Sequence, residues 1–157
     1  MKILESAEVR QKDGLKNIKR FFPESFDRIL LDPPCSALGL RPKLFIVQDT
    51  LEAMEFYAKY QRKFVKEAVA LLKPGGIMTY STCTIHMLEN ESMVRHILDT
   101  YPCLELLPIG DNIGLAGLPG AGLNEKERGY VRRFDPSDEQ RDTMGFFLAK
   151  FRKTPTF

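Results

Sequence analysis

Two short segments hold the groups able to do covalent chemistry, Asp32-Pro33-Pro34-Cys35 and Ser81-Thr82-Cys83-Thr84. A thiolate is a strong nucleophile, and C6 of a pyrimidine is electron-poor enough to accept one. Addition at C6 turns the ring into an enamine whose C5 attacks a methyl donor, which C5 of free cytosine does not do unaided. A base must then strip the C5 proton so that the thiol can leave. The Asp-Pro-Pro turn suits the binding side of such a site. Its prolines fix φ and remove two donors, leaving carbonyls aimed into a cleft beside a flat base. Enzymes that methylate exocyclic amino groups use a similar turn followed by a stacking aromatic residue. Here that position is Cys35, which argues against amino-group methylation.

A lone cysteine is more often a small hydrophobe than a reagent, so the elements that place these two decide their meaning. Phe26 to Leu31 is rich in β-formers and runs straight into the prolines, which predicts a strand ending there. From Thr50 to Leu72 the positions Met54, Tyr57, Phe64, Val65, Ala68, Val69 and Leu72 recur at helical spacing, with Lys73-Pro74-Gly75-Gly76 as a basic last turn and a breaker. Ile77 to Ser81 reads as a second strand, Glu89 to Asp99 as a helix closed by Tyr101-Pro102, Leu104 to Leu107 as a third strand and Gly145 to Phe151 as a last one. Residues 110–123 carry five glycines and read as a long loop. This rhythm predicts an α/β layer with parallel strands. Ligands in such sheets bind beyond the carboxyl ends of the strands, which is where Cys35 and Cys83 both fall, with Asp32 beside the first.

Composition narrows the classes further. A chain of 157 residues is sized for one domain, and 43% hydrophobic with 28% charged residues is ordinary for a chain that buries a core. The longest apolar run, Ala68 to Leu72, is far short of a membrane span, and no apolar signal follows Met1. Three cysteines without paired spacing read as reduced thiols, which places the chain in the cytoplasm or the nucleus. The net charge of +2 permits a nucleic-acid partner without demanding one.

The segments Phe26 to Ser36, Leu72 to Gly76, Tyr80 to Thr84, Glu89-Asn90-Glu91 and Gly145 to Lys150, in that order, resemble the NSUN (Nop/Sun-domain) family of RNA cytosine-5 methyltransferases. Gly120 to Leu123 followed by Arg133-Phe134-Asp135-Pro136 is most similar to the branch that methylates transfer RNA acceptor ends and a messenger RNA motif. The resemblance implies a partial Rossmann-like α/β methyltransferase fold, with S-adenosyl-L-methionine as cofactor and RNA as partner. It makes Cys83 the nucleophile and Cys35 the group that assists elimination. Asp32 would hydrogen-bond the cytosine and lie against the methyl donor.

The same resemblance exposes what does not match. The family's glycine-containing donor loop and the acidic residues ending its second and third strands have no counterpart in residues 1–25, a poorly matched segment expected to be helical. Residues 26–157 therefore read as the C-terminal part of the methyltransferase domain, with an unpaired sheet edge prone to association. The competing reading is an inactive RNA-binding fragment that cannot hold the donor. Arg41 and Lys43 stand near the cleft mouth as candidate phosphate contacts, and Arg128, Arg132 and Arg133 read as a solvated basic face. Cys103 reads as core packing, and the isolated His86 and His96 give no reason to expect a metal.

Overall fold

The computed structural model describes residues 21–42, 50–110 and 113–155. Lys43 and residues 1–20 of the expected N-terminal helix lie outside the described residues, and residues 21–25 form a bend and a turn rather than a helix.

Strand β1 (Phe26–Leu31) ends at the prolines as expected. Helix α1 (Leu51–Leu71) starts at Thr50, whose hydroxyl accepts a bond of 3.2 Å from the Ala53 amide. Its inner face is Ala58, Gln61, Phe64, Val65, Ala68 and Val69. Met54 and Tyr57, expected on that face, are only half-buried. Strand β2 (Leu72–Thr82) begins at once, so Lys73 to Gly76 is no break between elements. The β1–β2 register moves from Phe26 opposite Leu72 to Arg28 opposite Ile77, so these four residues form a bulge, with Gly75 at φ +78°. The basic group expected in the helix's last turn comes from elsewhere. The Lys153 ammonium donates to the carbonyls of Val69 (3.1 Å) and Leu72 (2.9 Å), which the helix leaves unpaired.

A 3₁₀ turn (Met87–Glu89) precedes α2 (Glu91–Thr100), and β3 is Leu104–Leu107. Two short elements within the C-terminal third had no clear periodicity to announce them, α3 (Glu125–Tyr130) and β4 (Arg132–Phe134), before β5 (Phe146–Lys153). Asn124 and Glu127 form a capping box that starts α3.

The sheet order is β1-β2-β5-β3, with β4 also paired to β5. Only β1 and β2 are parallel, as a strand-helix-strand crossover requires. The other pairs, β2–β5, β3–β5 and β4–β5, are antiparallel, which corrects the expectation of a parallel layer. The physical reason is the return of the chain through residues 135–145, which brings Phe146 back opposite Phe134 in a hairpin sense. Strand β5 alternates, burying Phe147, Ala149, Phe151 and Lys153. Phe147, Ala149 and Phe151 join Val65, Leu72, Met78, Tyr80, Val94 and Ile97 in one core, against which Ile29, Leu31 and Cys103 pack. Leu30, between Ile29 and Leu31 on the opposite face of β1, is 74% exposed. No helix among the described residues is long and apolar enough to cross a membrane.

Candidate active site

Because β1 and β2 are parallel neighbours, their carboxyl ends open into the same place, Asp32 to Ser36 beside Thr82 to Thr84. The two sulfurs meet there. Cys35 Sγ and Cys83 Sγ are 3.3 Å apart, and neither is in a disulfide. The hydrogen bond between them splits their acidities. It pulls the Cys83 thiol down to about 7, against the opposing pull of its partial burial and of the negative charges of Asp32 and Glu89. Cys35, which keeps the shared proton, is pushed well above the ordinary thiol range by the same bond and by its burial. When Cys83 is ionised, Cys35 S–H is the donor to its thiolate. Asp32 stands exposed at the rim, close enough for its charge to act on Cys83.

Backbone ties fix the Cys83 loop from behind. The Cys83 carbonyl accepts from Gly39 N at 3.0 Å, and Gly39 O accepts from Gly145 N at 2.8 Å. A Cβ on Gly39 would sit 2.3 Å from the Gly145 carbonyl oxygen, so only glycine permits this approach.

The residues that sequence reasoning left without a role are the ones beneath the sulfurs. Glu89 is fully buried, and its carboxylate accepts from Ser36 N (3.0 Å), Ser36 Oγ (2.6 Å) and Gln61 Nε2 (2.8 Å). Gln61 spends its other amide hydrogen on Pro34 O at 3.1 Å. Tyr80, buried in the core, donates to Gln61 Oε1 and to Glu89 O. Since Ser36 Oγ gives its proton to Glu89, the 2.8 Å contact between Ser36 and Thr84 has Thr84 as donor. Asn90 secures the other loop, accepting from Thr82 Oγ1 at 2.6 Å and donating to Thr84 O at 3.0 Å. That use of its side chain explains why α2 begins at Glu91 without a side-chain cap, two residues later than its apolar periodicity suggests. Glu91 turns the other way, to Arg133 (2.9 Å) and Leu118 N (2.9 Å).

One signal was legible: a glutamine at a position where α1 repeats apolar residues is a polar group that must find partners inside. The arginine cluster, by contrast, is not a solvated face. Arg133 is buried against Glu91 and donates to Ile85 O. Arg128 donates to Gly117 O, and Arg132 to the carbonyls of Ile109, Gly129 and Val131. Antiparallel pairing of β4 with β5 fixes Arg132 and Arg133 into the fold. Arg41 is exposed, and its charge helps hold the Asp135 carboxyl below its usual range, behind the larger effect of the Ser137 hydrogen bonds. No group of three or more metal-ligating side chains occurs among the described residues.

A family profile described as 16S rRNA methyltransferase RsmB/F matches residues 2–152. The chain is 48% identical over 145 residues to the rRNA (cytosine-C(5))-methyltransferase NOP2C of Arabidopsis thaliana, covering 86% of this chain and 24% of that protein. It is 42% identical over 163 residues to the tRNA (cytosine(72)-C(5))-methyltransferase NSUN6 of Mus musculus, covering 90% and 34%. The crystal structure of NSun6 from Pyrococcus horikoshii with SFG matches 90% of this chain and 33% of that one, with a TM-score of 0.71 and 37% identity. The partial Rossmann-like α/β layer expected from sequence is the fold they share. Of these two curated relatives' own lengths the chain spans 24% and 34%.

Proposed function

The chain belongs to the RsmB/F family of RNA methyltransferases, and from that premise we propose that it carries the base-side chemistry of cytosine-5 methylation in RNA, with Cys83 as nucleophile. The single observation behind this reading is the 3.3 Å contact between Cys35 and Cys83, with Cys83 as the more acidic thiol. In the proposed sequence the Cys83 thiolate bonds to C6 of the base, and Asp32 hydrogen-bonds the cytosine as charge develops on the ring. After C5 has taken the methyl group, a water molecule accepts the C5 proton as the C6–sulfur bond breaks, and Cys35, holding the proton beside the leaving sulfur, assists that release of Cys83.

The methyl donor implied is S-adenosyl-L-methionine, which supplies an electrophilic methyl carbon when bound. The exposed Asp32 carboxylate at the end of β1 fits the positive charge of such a donor. Transfer RNA is the favoured substrate class, because residues 120–123 and 133–136 resemble the acceptor-end branch and the NSUN6 relative acts on tRNA. Messenger RNA is the narrower extension of the same reading. Two free thiols in contact belong to a reducing compartment, which supports a cytoplasmic or nuclear location.

A second reading has its own observation. The chain spans only 24% and 34% of the two relatives, and β1 is paired on one edge only among the described residues. On this reading the chain binds RNA without transferring a methyl group. One experiment separates the two. The chain is incubated with labelled donor and a cytosine-containing RNA hairpin. Methyl transfer that C83A abolishes supports catalysis. RNA binding by gel shift without transfer, and no donor binding by calorimetry, supports the second reading.

A further inference from the structure

Three consecutive residues, Glu89, Asn90 and Glu91, reach three different segments, and the first two hold the two cysteine loops. We propose that Glu89 is a positioning residue: its buried carboxylate clamps the Pro34–Ser36 turn against the Thr82–Thr84 loop and so sets the contact between the Cys35 and Cys83 sulfurs. The inference rests on the reading of these cysteines given above.

The geometry carries it. Glu89 takes both donors of Ser36, the residue after Cys35, and through Gln61 it also holds Pro34, the residue before it. Ser36 in turn receives the hydroxyl of Thr84, the residue after Cys83. Both neighbours of Cys35 and one neighbour of Cys83 therefore hang on a single carboxylate. Asn90, next in sequence, fixes Thr82 and the Thr84 carbonyl, so the Cys83 loop cannot drift while the other is held. A carboxylate buried this completely carries a large desolvation penalty unless its lone pairs are used. A purely structural core would be served as well by an apolar residue.

Electrostatics separates positioning from a direct charge effect. The groups that face Cys83 are Cys35 and Asp32 from the turn after β1 and Glu89 from the turn before α2. The negative charge of Glu89 opposes ionisation of Cys83, whereas the geometry it enforces favours it by delivering the Cys35 S–H. Removing the charge while keeping the hydrogen bonds, and removing the hydrogen bonds, thus move the Cys83 titration in opposite directions.

The test is the pH dependence of iodoacetamide alkylation at Cys83, read by peptide mass mapping on the full chain, with folding checked by circular dichroism. In E89Q the amide nitrogen donates to Ser36 Oγ and the remaining oxygen accepts from Ser36 N and Gln61, so the Cys83 midpoint stays near 7 or falls. In E89A it rises toward the ordinary thiol value of about 8.5. E89D, which keeps the charge and shortens the reach, also raises it and decides the matter if E89A does not fold. An unchanged midpoint in folded E89A, or in E89D, overturns the proposal, as does a rise in E89Q equal to that in E89A. Because this readout uses neither RNA nor donor, a wild-type chain that fails to methylate RNA would overturn the functional reading and leave the clamp standing.

Discussion

The rim that holds Cys35 and Cys83 and the outer face of β1 lie at opposite extremes of the molecule's chemistry, although they share one strand. Under the rim, polar groups are buried and satisfied: Glu89, Asn90, Gln61, Thr82 and Thr84 are inaccessible, and each has named partners. On the outer face of β1, which has one paired edge among the described residues, Leu30 is 74% exposed, and Phe22, four residues before that strand, is 84% exposed. Buried polar networks are retained where geometry must be unique, and large apolar side chains in water mark surfaces that associate. The contrast teaches that the chemistry-bearing side of this sheet is finished from within, while the β1 side presents a surface suited to being covered.

The sharpest challenge to that contrast is C83A. If the rim is a reactive site, the variant loses all covalent trapping, in the presence of S-adenosyl-L-methionine, of an RNA whose target cytosine bears a 5-fluoro substituent, measured as a denaturing-gel shift, while C103A retains it. A C83A chain that still traps the RNA breaks the comparison at its root.

Next in size is Arg133, the buried cation that pairs with Glu91 behind the network. R133A strands the Glu91 carboxylate and is expected to cost about 3–5 kcal/mol in urea unfolding, against little change for exposed Arg41→Ala. Equal losses in both would mean that the interior is not self-contained.

A pH series sharpens the chemical half. With the Cys83 thiol lowered to about 7 and Cys35 raised, alkylation at Cys83 climbs as pH rises through 7 and levels off above it. Below that point the rate falls about tenfold per pH unit as the thiolate is protonated. Cys35 stays unreactive over the same range. Titration of both thiols together near the ordinary value would separate the sulfurs.

K153M tests the seam where β5 meets the end of α1. The loss of two carbonyl contacts at a helix C-terminus is expected to cost about 1–2 kcal/mol by thermal or urea unfolding. Smallest in stability is L30K, within about 0.5 kcal/mol of the parent, yet it should lower the apparent mass in light scattering if the β1 face associates. A parent chain that is sharply monomeric would remove that half of the contrast.

Sequence alone located β1, α1, β2, α2, β3 and β5, because apolar periodicity and prolines mark them. It also brought Asp32, Cys35 and Cys83 to one rim, since consecutive strands joined by a helix open at the same end. The direction of β5 was not legible: Gly145 to Phe151 has the same alternation whether it pairs parallel or antiparallel, and only the hairpin return from β4 decides. The short α3 and β4 escaped for lack of length, although Asn124 and Glu127 carry a capping signature. Arg133 looked like surface because its partner, Glu91, is distant in sequence. Glu89 and Asn90 were visible as residues but not as a clamp, because their partners come from three separate segments.

Strand β5 follows every other strand among the described residues, yet it lies in the interior of the sheet, with β2 on one side and β3 and β4 on the other. During synthesis, then, the earlier strands wait without their keystone until residues 146–153 leave the ribosome. Gly145, at the head of β5, is also what holds Gly39 and through it the Cys83 carbonyl. The tie that fixes the Cys83 carbonyl therefore forms only after Gly145 has been made, more than sixty residues after Cys83 itself.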